Sequence, residues 1–211
     1  MRRVLLLMTV LALMSGSVFA SAEGRAPSRP STVDLTEFDH LDPRGIVPER
    51  PLRQALTYFK QNRSAFPNQK YMVIVDFTKH SREKRMFVIN LRSGSVNAYA
   101  TSHGRGSDPG HTGRATRFSN SNRSHMSSLG FYRTAEPYVG KHGPSLRMDG
   151  LSPTNSQARR RAIVVHGARY VSNTRGAWGR SHGCPAVAPE TITHLRERIR
   201  HGALFYIWAG Q

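Results

Sequence analysis

Cysteine is almost missing from this chain: there is one, Cys184, in 211 residues. No intramolecular disulfide can form, so a protein that meets oxidising conditions has to stand on its apolar core and carries a lone thiol that needs a reason. Acidic residues are scarce as well, 13 Asp and Glu against 31 Lys and Arg, which leaves a formal net charge of +18 and a surface that attracts polyanions. Long apolar runs are absent apart from Val4 to Met14, which is shorter than the roughly 20 residues a membrane helix requires. No Gly-Lys-Ser/Thr ending follows the Gly/Ser stretch at 102–107, so a phosphate-cradling loop is disfavoured there. A fixed-period repeat is also missing, which excludes a solenoid.

The short apolar run follows Arg2 and Arg3 and precedes small residues at Val18, Ala20 and Ala22, the pattern of a cleavable export signal over residues 1–22. No stable membrane insertion is expected after cleavage, and release into a periplasm or cell wall follows. For an exported protein this basic, anionic envelope polymers or carboxylate-rich peptides are the expected partners. Nucleic acid is not, because the arginines are dispersed, with Arg159 to Arg161 the only triple run, read as a solvated edge.

Residues 23–50 are rich in Pro, Ser, Thr and charge and read as a flexible lead-in, and 51–211 as one domain. Helical spacing of Leu52, Ala55, Leu56 and Phe59 predicts an opening helix, and Ile192, Leu195 and Ile199 predict a second. Strand-like runs lie at 71–77, 85–91, 96–101, 129–134, 145–151, 161–166 and 203–208, giving a mainly β domain with a few helices (α+β). Residues 102–122, polar and glycine-containing, read as a long loop over the sheet, too polar for the core. Tyr170 and Trp178 read as packing residues, and His103, His111, His125 and His142 as loop histidines, exposed unless they line a cleft.

Residues 162–187 read AIVVHGARYVSNTRGAWGRSHGCPAV. A strand delivers His166 and Gly167, and a loop returns the chain to Ser181-His182-Gly183-Cys184-Pro185. A thiol of pKa about 8.5 is only a few per cent ionised at neutral pH, so a nucleophilic Cys184 needs a base, and His166 supplies one. The imidazole needs an acceptor on its other nitrogen. With no nearby carboxylate in sequence, the Gly167 carbonyl is the candidate, and the N–H groups of Gly183 and Cys184 are candidates to face an oxyanion. Zinc held by His166, His182 and Cys184 is the competing reading, weakened by the two-residue spacing of the last pair and the lack of a general-base glutamate.

His166 and Cys184 stand eighteen positions apart with Ser-His-Gly-Cys before Pro-Ala. With His103-Gly104-Arg105-Gly106-Ser107, Phe118-Ser119-Asn120, Ser127-Ser128-Leu129-Gly130-Phe131-Tyr132, Gly140-Lys141-His142-Gly143 and Ser145-Leu146-Arg147, the chain resembles the YkuD-type L,D-transpeptidase catalytic domain, in the branch with a Ser-x-Gly-Cys-Pro-Ala signature. The resemblance runs from Leu52 to Trp208. It implies a YkuD-like β-sandwich and a cysteine acyltransferase that attacks the bond after the L-centre of a diamino acid in a peptidoglycan stem. Through a thioester it would release D-alanine and form 3-3 type cross-links, without metal or organic cofactor and with sensitivity to carbapenems. It implies Cys184 as nucleophile, His166 as proton acceptor and donor, Gly167 as orienting carbonyl, and His182 and Gly183 as shapers of the site. Ser181, Arg180, His103, Arg147 and Tyr132 are the candidate substrate contacts. Many members carry Asn or Arg where this chain has Ala186, so that contact is either absent here or supplied elsewhere, with Arg180 and Arg147 as the candidates. An L,D-carboxypeptidase or endopeptidase using the same pair, or a non-catalytic wall-binding module, are the alternatives.

Overall fold

Apolar periodicity becomes a sheet held between two helices. The computed structural model describes residues 33–210, so the expected signal segment 1–22 lies outside the described residues. In chain order the helices are α1 (Glu49–Gln61) and α2 (Pro189–Ile199). The strands are β1 (Tyr71–Asp76), β2 (Lys84–Asn90), β3 (Val96–Ala100), β4 (Gly130–Gly140), β5 (Gly143–Gly150), β6 (Val164–Gly167), β7 (Val171–Ser172), β8 (Gly176–Ala177), β9 (Ala186–Val187) and β10 (Leu204–Trp208). Eight of them form one sheet in the order β3-β2-β1-β10-β4-β5-β6-β9, while β7 and β8 make a separate hairpin. The mainly β class with two helices is what the sequence predicts, and the sandwich is one continuous sheet with a helix on each face.

β1 and β10 pair in parallel at the centre, and their near-continuous apolar runs follow from burial on both faces. Alternation along β1 divides the core: Val73 and Val75 join Leu146, Val165 and Phe205 beneath Ile192, Leu195 and Ile199 of α2. Met72 and Ile74 join Phe87, Ile89 and Leu204 beneath Ala55, Leu56 and Phe59 of α1. Each large apolar side chain buried in this way contributes about 1.5–3 kcal/mol, enough to hold an eleven-residue α2 that would be marginal by itself.

Part of the segment expected to be a flexible lead-in is packed. Phe38, Leu41 and Val47 are buried in the α1-side core, Asp42 Oδ2 accepts the Val47 N–H at 2.7 Å, and the Asp42 N–H donates to Gly94 O at 2.9 Å. Three apolar residues scattered among proline and charge have no period, so only the tertiary contact reveals them. β4 runs past its expected end because a register shift between Thr134 and Pro137 admits the proline. The hairpin it forms with β5 carries Lys141 and His142 at its tip.

Candidate active site

Sheet pairing builds the site. β6 pairs in parallel with β9, with His166 opposite Ala186, so the imidazole arrives beside the strand that Cys184 precedes by two residues. Gly183 makes the turn possible: its φ is +121°, and a Cβ there would lie 2.6 Å from Met126 O. A Gly183→Ala variant is expected to lose about 1–3 kcal/mol of stability and to slow acylation of Cys184. Equilibrium denaturation and adduct mass measure the two, and a variant with wild-type values in both would contradict the strained-turn account.

The His166 Nδ1–H donates to Gly167 O at 2.9 Å, the role the sequence proposed for that carbonyl, and this leaves Nε2 with its lone pair for proton abstraction. Burial pushes the His166 pKa down, the Gly167 bond opposes that, and His142 and Lys141 reinforce it. The His142 ring stacks on His166 with centroids 4.4 Å apart. Burial likewise pushes the Cys184 thiol up, against the Val164 backbone N–H, Arg161 and Lys141, which pull it down. The resting pair is therefore a neutral thiol and a neutral imidazole. The thiol donates to Ala162 O at 3.6 Å, a carbonyl turned by a residue held at φ +53°.

Both groups line a cleft of about 480 Å³, together with Tyr138, Lys141, His142, Arg161, Tyr170, Arg180 and His182. Its lining contains lysine, arginine and histidine but, among the described residues, no carboxylate. Also among the described residues, no three His, Cys, Asp or Glu side chains are arranged to hold a metal ion.

The other sequence candidates divide. Arg180 and His182 reach the cleft, Arg180 steadied by an Nη1–H bond to Asp108 O and His182 set edge-on to the His125 ring at 4.3 Å. Ser181 also lines the cleft, but its hydroxyl is committed within the turn, donating to Cys184 O at 2.7 Å and accepting the Gly183 N–H at 3.0 Å. That bond also corrects the expected pair of oxyanion donors, because Gly183 N–H is committed and Cys184 N–H is the one left. Arg147 is held by Glu136 at 3.1 Å and by the Tyr138 ring face, outside the lining. Tyr132 is fully buried, its hydroxyl donating to Ser128 O at 2.8 Å, so it supports the site from behind.

His103 is a further correction, being 1% exposed. Its loop, expected to be too polar for the core, buries Ser102, Ser107 and Asp108 too, because their polar groups find partners. Thr101 Oγ1 donates to Ala186 O at 2.8 Å and the Ser102 N–H donates there at 2.9 Å, while the Ser181 N–H donates to His103 O at 2.9 Å. Burial, then the Arg85 guanidinium, push His103 down to about 4. An unfolded histidine titrates near 6.5, so the unfolded chain binds more protons as pH falls from there to about 4, and the folded state loses up to about 3 kcal/mol over that window. Thermal melts across pH 4–7 test this: wild type should lose stability on acidification more steeply than a His103→Gln variant.

The sequence assigned Lys141 and Arg161 no role in the cleft wall, and offered His142 only as one of four loop histidines that could line a cleft. Lys141 and His142 occupy a hairpin tip between Gly140 and Gly143. Arg161 does not share the solvated edge of Arg159, which pairs with Glu136 and Asp149. It turns inward and donates to Ser119 O at 2.7 Å and Met126 O at 2.5 Å, pinning loop 119–128 beside the thiol.

Comparison with known proteins adds an independent finding. The YkuD_2 family profile, described as an L,D-transpeptidase catalytic domain, matches residues 45–208. No curated protein sequence matches the chain. Among solved structures, an L,D-transpeptidase from Mycobacterium smegmatis is similar at TM-score 0.43 and 14% identity, over 66% of this chain and 59% of that one. Bd1075 of Bdellovibrio bacteriovorus is similar at TM-score 0.42 and 16% identity, over 70% of this chain and 50% of the other. L,D-transpeptidase 3 from Mycobacterium tuberculosis, in complex with a faropenem-derived adduct, is similar at TM-score 0.43 and 12% identity, over 65% and 60%. The chain thus spans less than two thirds of the length of each of these structures.

Proposed function

The chain belongs to the L,D-transpeptidase catalytic-domain family, and on that premise we propose that it is an exported cysteine acyltransferase that cross-links peptidoglycan stem peptides in the cell wall. One observation carries the reading: the only thiol and an imidazole with its Nε2 free line the same cation-rich cleft. In the first half-reaction His166 Nε2 takes the Cys184 proton as sulfur attacks the carbonyl that follows the L-centre of the diamino acid. The Cys184 N–H faces the oxyanion. The C–N bond then breaks, His166 returns the proton to the departing D-alanine amine, and a thioester remains. In the second, an amine of a neighbouring stem attacks the thioester, His166 takes its proton, and sulfur leaves and is reprotonated.

Lys141 and Arg180 are the cations that meet stem carboxylates in this proposal, since Arg161 is occupied by loop carbonyls. Binding should therefore weaken with salt. The test is incubation with defined tetrapeptide muropeptides, with the products resolved by mass. Dimers are expected; trimmed monomers would mean that water replaces the amine, giving a carboxypeptidase. A carbapenem or faropenem is expected to add once, on Cys184. The absence of both a new product and an adduct would overturn the proposal.

A further inference from the structure

Behind the nucleophile turn lies a buried chain of polar side chains that the chemistry above does not use. Arg85 is fully buried on β2, at the register irregularity between Lys84 and Met86 that turns its side chain inward. Its Nε and Nη2 donate to Thr101 O at 3.0 and 2.9 Å, Nη1 donates to Lys79 O at 3.0 Å, and Nη2 also donates to His103 Nδ1 at 2.7 Å. The guanidinium lies 4.9 Å from the centre of the Phe77 ring. His103 Nε2–H points to Asp108 Oδ2 at 3.4 Å, and Asp108 is held by the N–H groups of Thr112 and Gly113 at 2.8 and 2.9 Å.

Burying a guanidinium is costly, and an apolar side chain would fill the space more cheaply. What the guanidinium alone supplies is a planar set of donors. These fix Thr101 and His103, and that segment grips both sides of Cys184, through His103 O to Ser181 and through Thr101 Oγ1 to Ala186. We infer that Arg85, His103 and Asp108 are positioning residues that hold the turn carrying Cys184, with His103 obliged to stay neutral so that Nδ1 accepts from Arg85. This rests on the proposed role of Cys184. A proton on Nδ1 would set a donor against a donor, and the charged groups facing the ring are Arg85 from β2, Asp108 from its own loop and Arg180 from the nucleophile loop. A relay broken in this way loosens the turn without touching Cys184 or His166.

The full chain, its His103→Gln variant and its His103→Phe variant are compared by amide hydrogen exchange at residues 181–184 and by the rate of acylation by faropenem. Glutamine keeps an acceptor and a donor, and should stay within about threefold of wild type in both readouts. Phenylalanine should speed exchange of the turn about tenfold and slow acylation about a hundredfold, while iodoacetamide still alkylates the thiol. Exchange at 181–184 unchanged in His103→Phe would overturn the inference. If that variant does not fold, the acid limb of acylation decides. Wild type should show an added loss below about pH 5 that is missing from His103→Gln, and identical limbs would overturn it. A wild type that alkylates but never acylates would sink the transpeptidase reading instead, leaving the exchange result to judge the positioning role.

Discussion

A Cys184→Ala variant is expected to form no covalent adduct with a carbapenem and to lose turnover of tetrapeptide stems by a factor on the order of 10⁵ or more. The chain holds no other thiol, and an alanine leaves His166 with only water to activate. The fold should barely notice. The thiol's polar contacts are weak, a bond to Ala162 O at 3.6 Å and the Val164 N–H, and the turn is held by the Ser181 hydroxyl and by the segment 101–105, so the stability change should stay within about 1 kcal/mol. Intact-protein mass and a thermal melt read both quantities from one preparation. Full cellular function in the variant would favour a wall-binding module over an enzyme.

The second large effect belongs to the imidazole. His166→Ala should lower turnover by at least about a hundredfold, the usual worth of general-base assistance. Burial keeps the Cys184 thiol protonated at neutral pH, so the nucleophile does not form spontaneously once the base is gone. The effect should also shrink as pH rises, because hydroxide then ionises the thiol. His142, stacked on His166, is a neighbour placed to substitute, so a His142→Ala variant provides the control. It should retain most turnover, whereas equal losses in the two single variants would move the base assignment to the pair. A pH–rate profile of wild type should show its acid limb below the ordinary histidine range, following the lowered pKa of His166. Near-normal turnover in His166→Ala would contradict the assignment outright.

Much of this molecule was legible before folding was considered. The strands at 71–76, 84–90 and 204–208 and both helices announce themselves because a residue's face in such elements follows from its position in a short period. β7, β8 and β9, two residues each, carry no period, and β9 is what brings the nucleophile turn beside His166. The same limit hid Phe38, Leu41 and Val47. Polarity misled at 102–107, where composition argued for exposure: a polar group can be buried when partners surround it, and here partners come from residues 18 to 84 positions away.

The sequence by itself determined the chemistry on offer: one thiol, a histidine at a strand end followed by glycine, a large excess of cations, and a domain mostly of strands. The tertiary structure alone decided how that chemistry is deployed. It chose which cations face the cleft, which nitrogen of His166 is free, that Gly183 N–H is already taken, and that His103 stands behind the turn and not in front of it. The reason is physical. Residue type and local period are short-range properties of the chain, whereas a hydrogen-bond partner is assigned by whatever the folded backbone carries into the 3 Å around each donor.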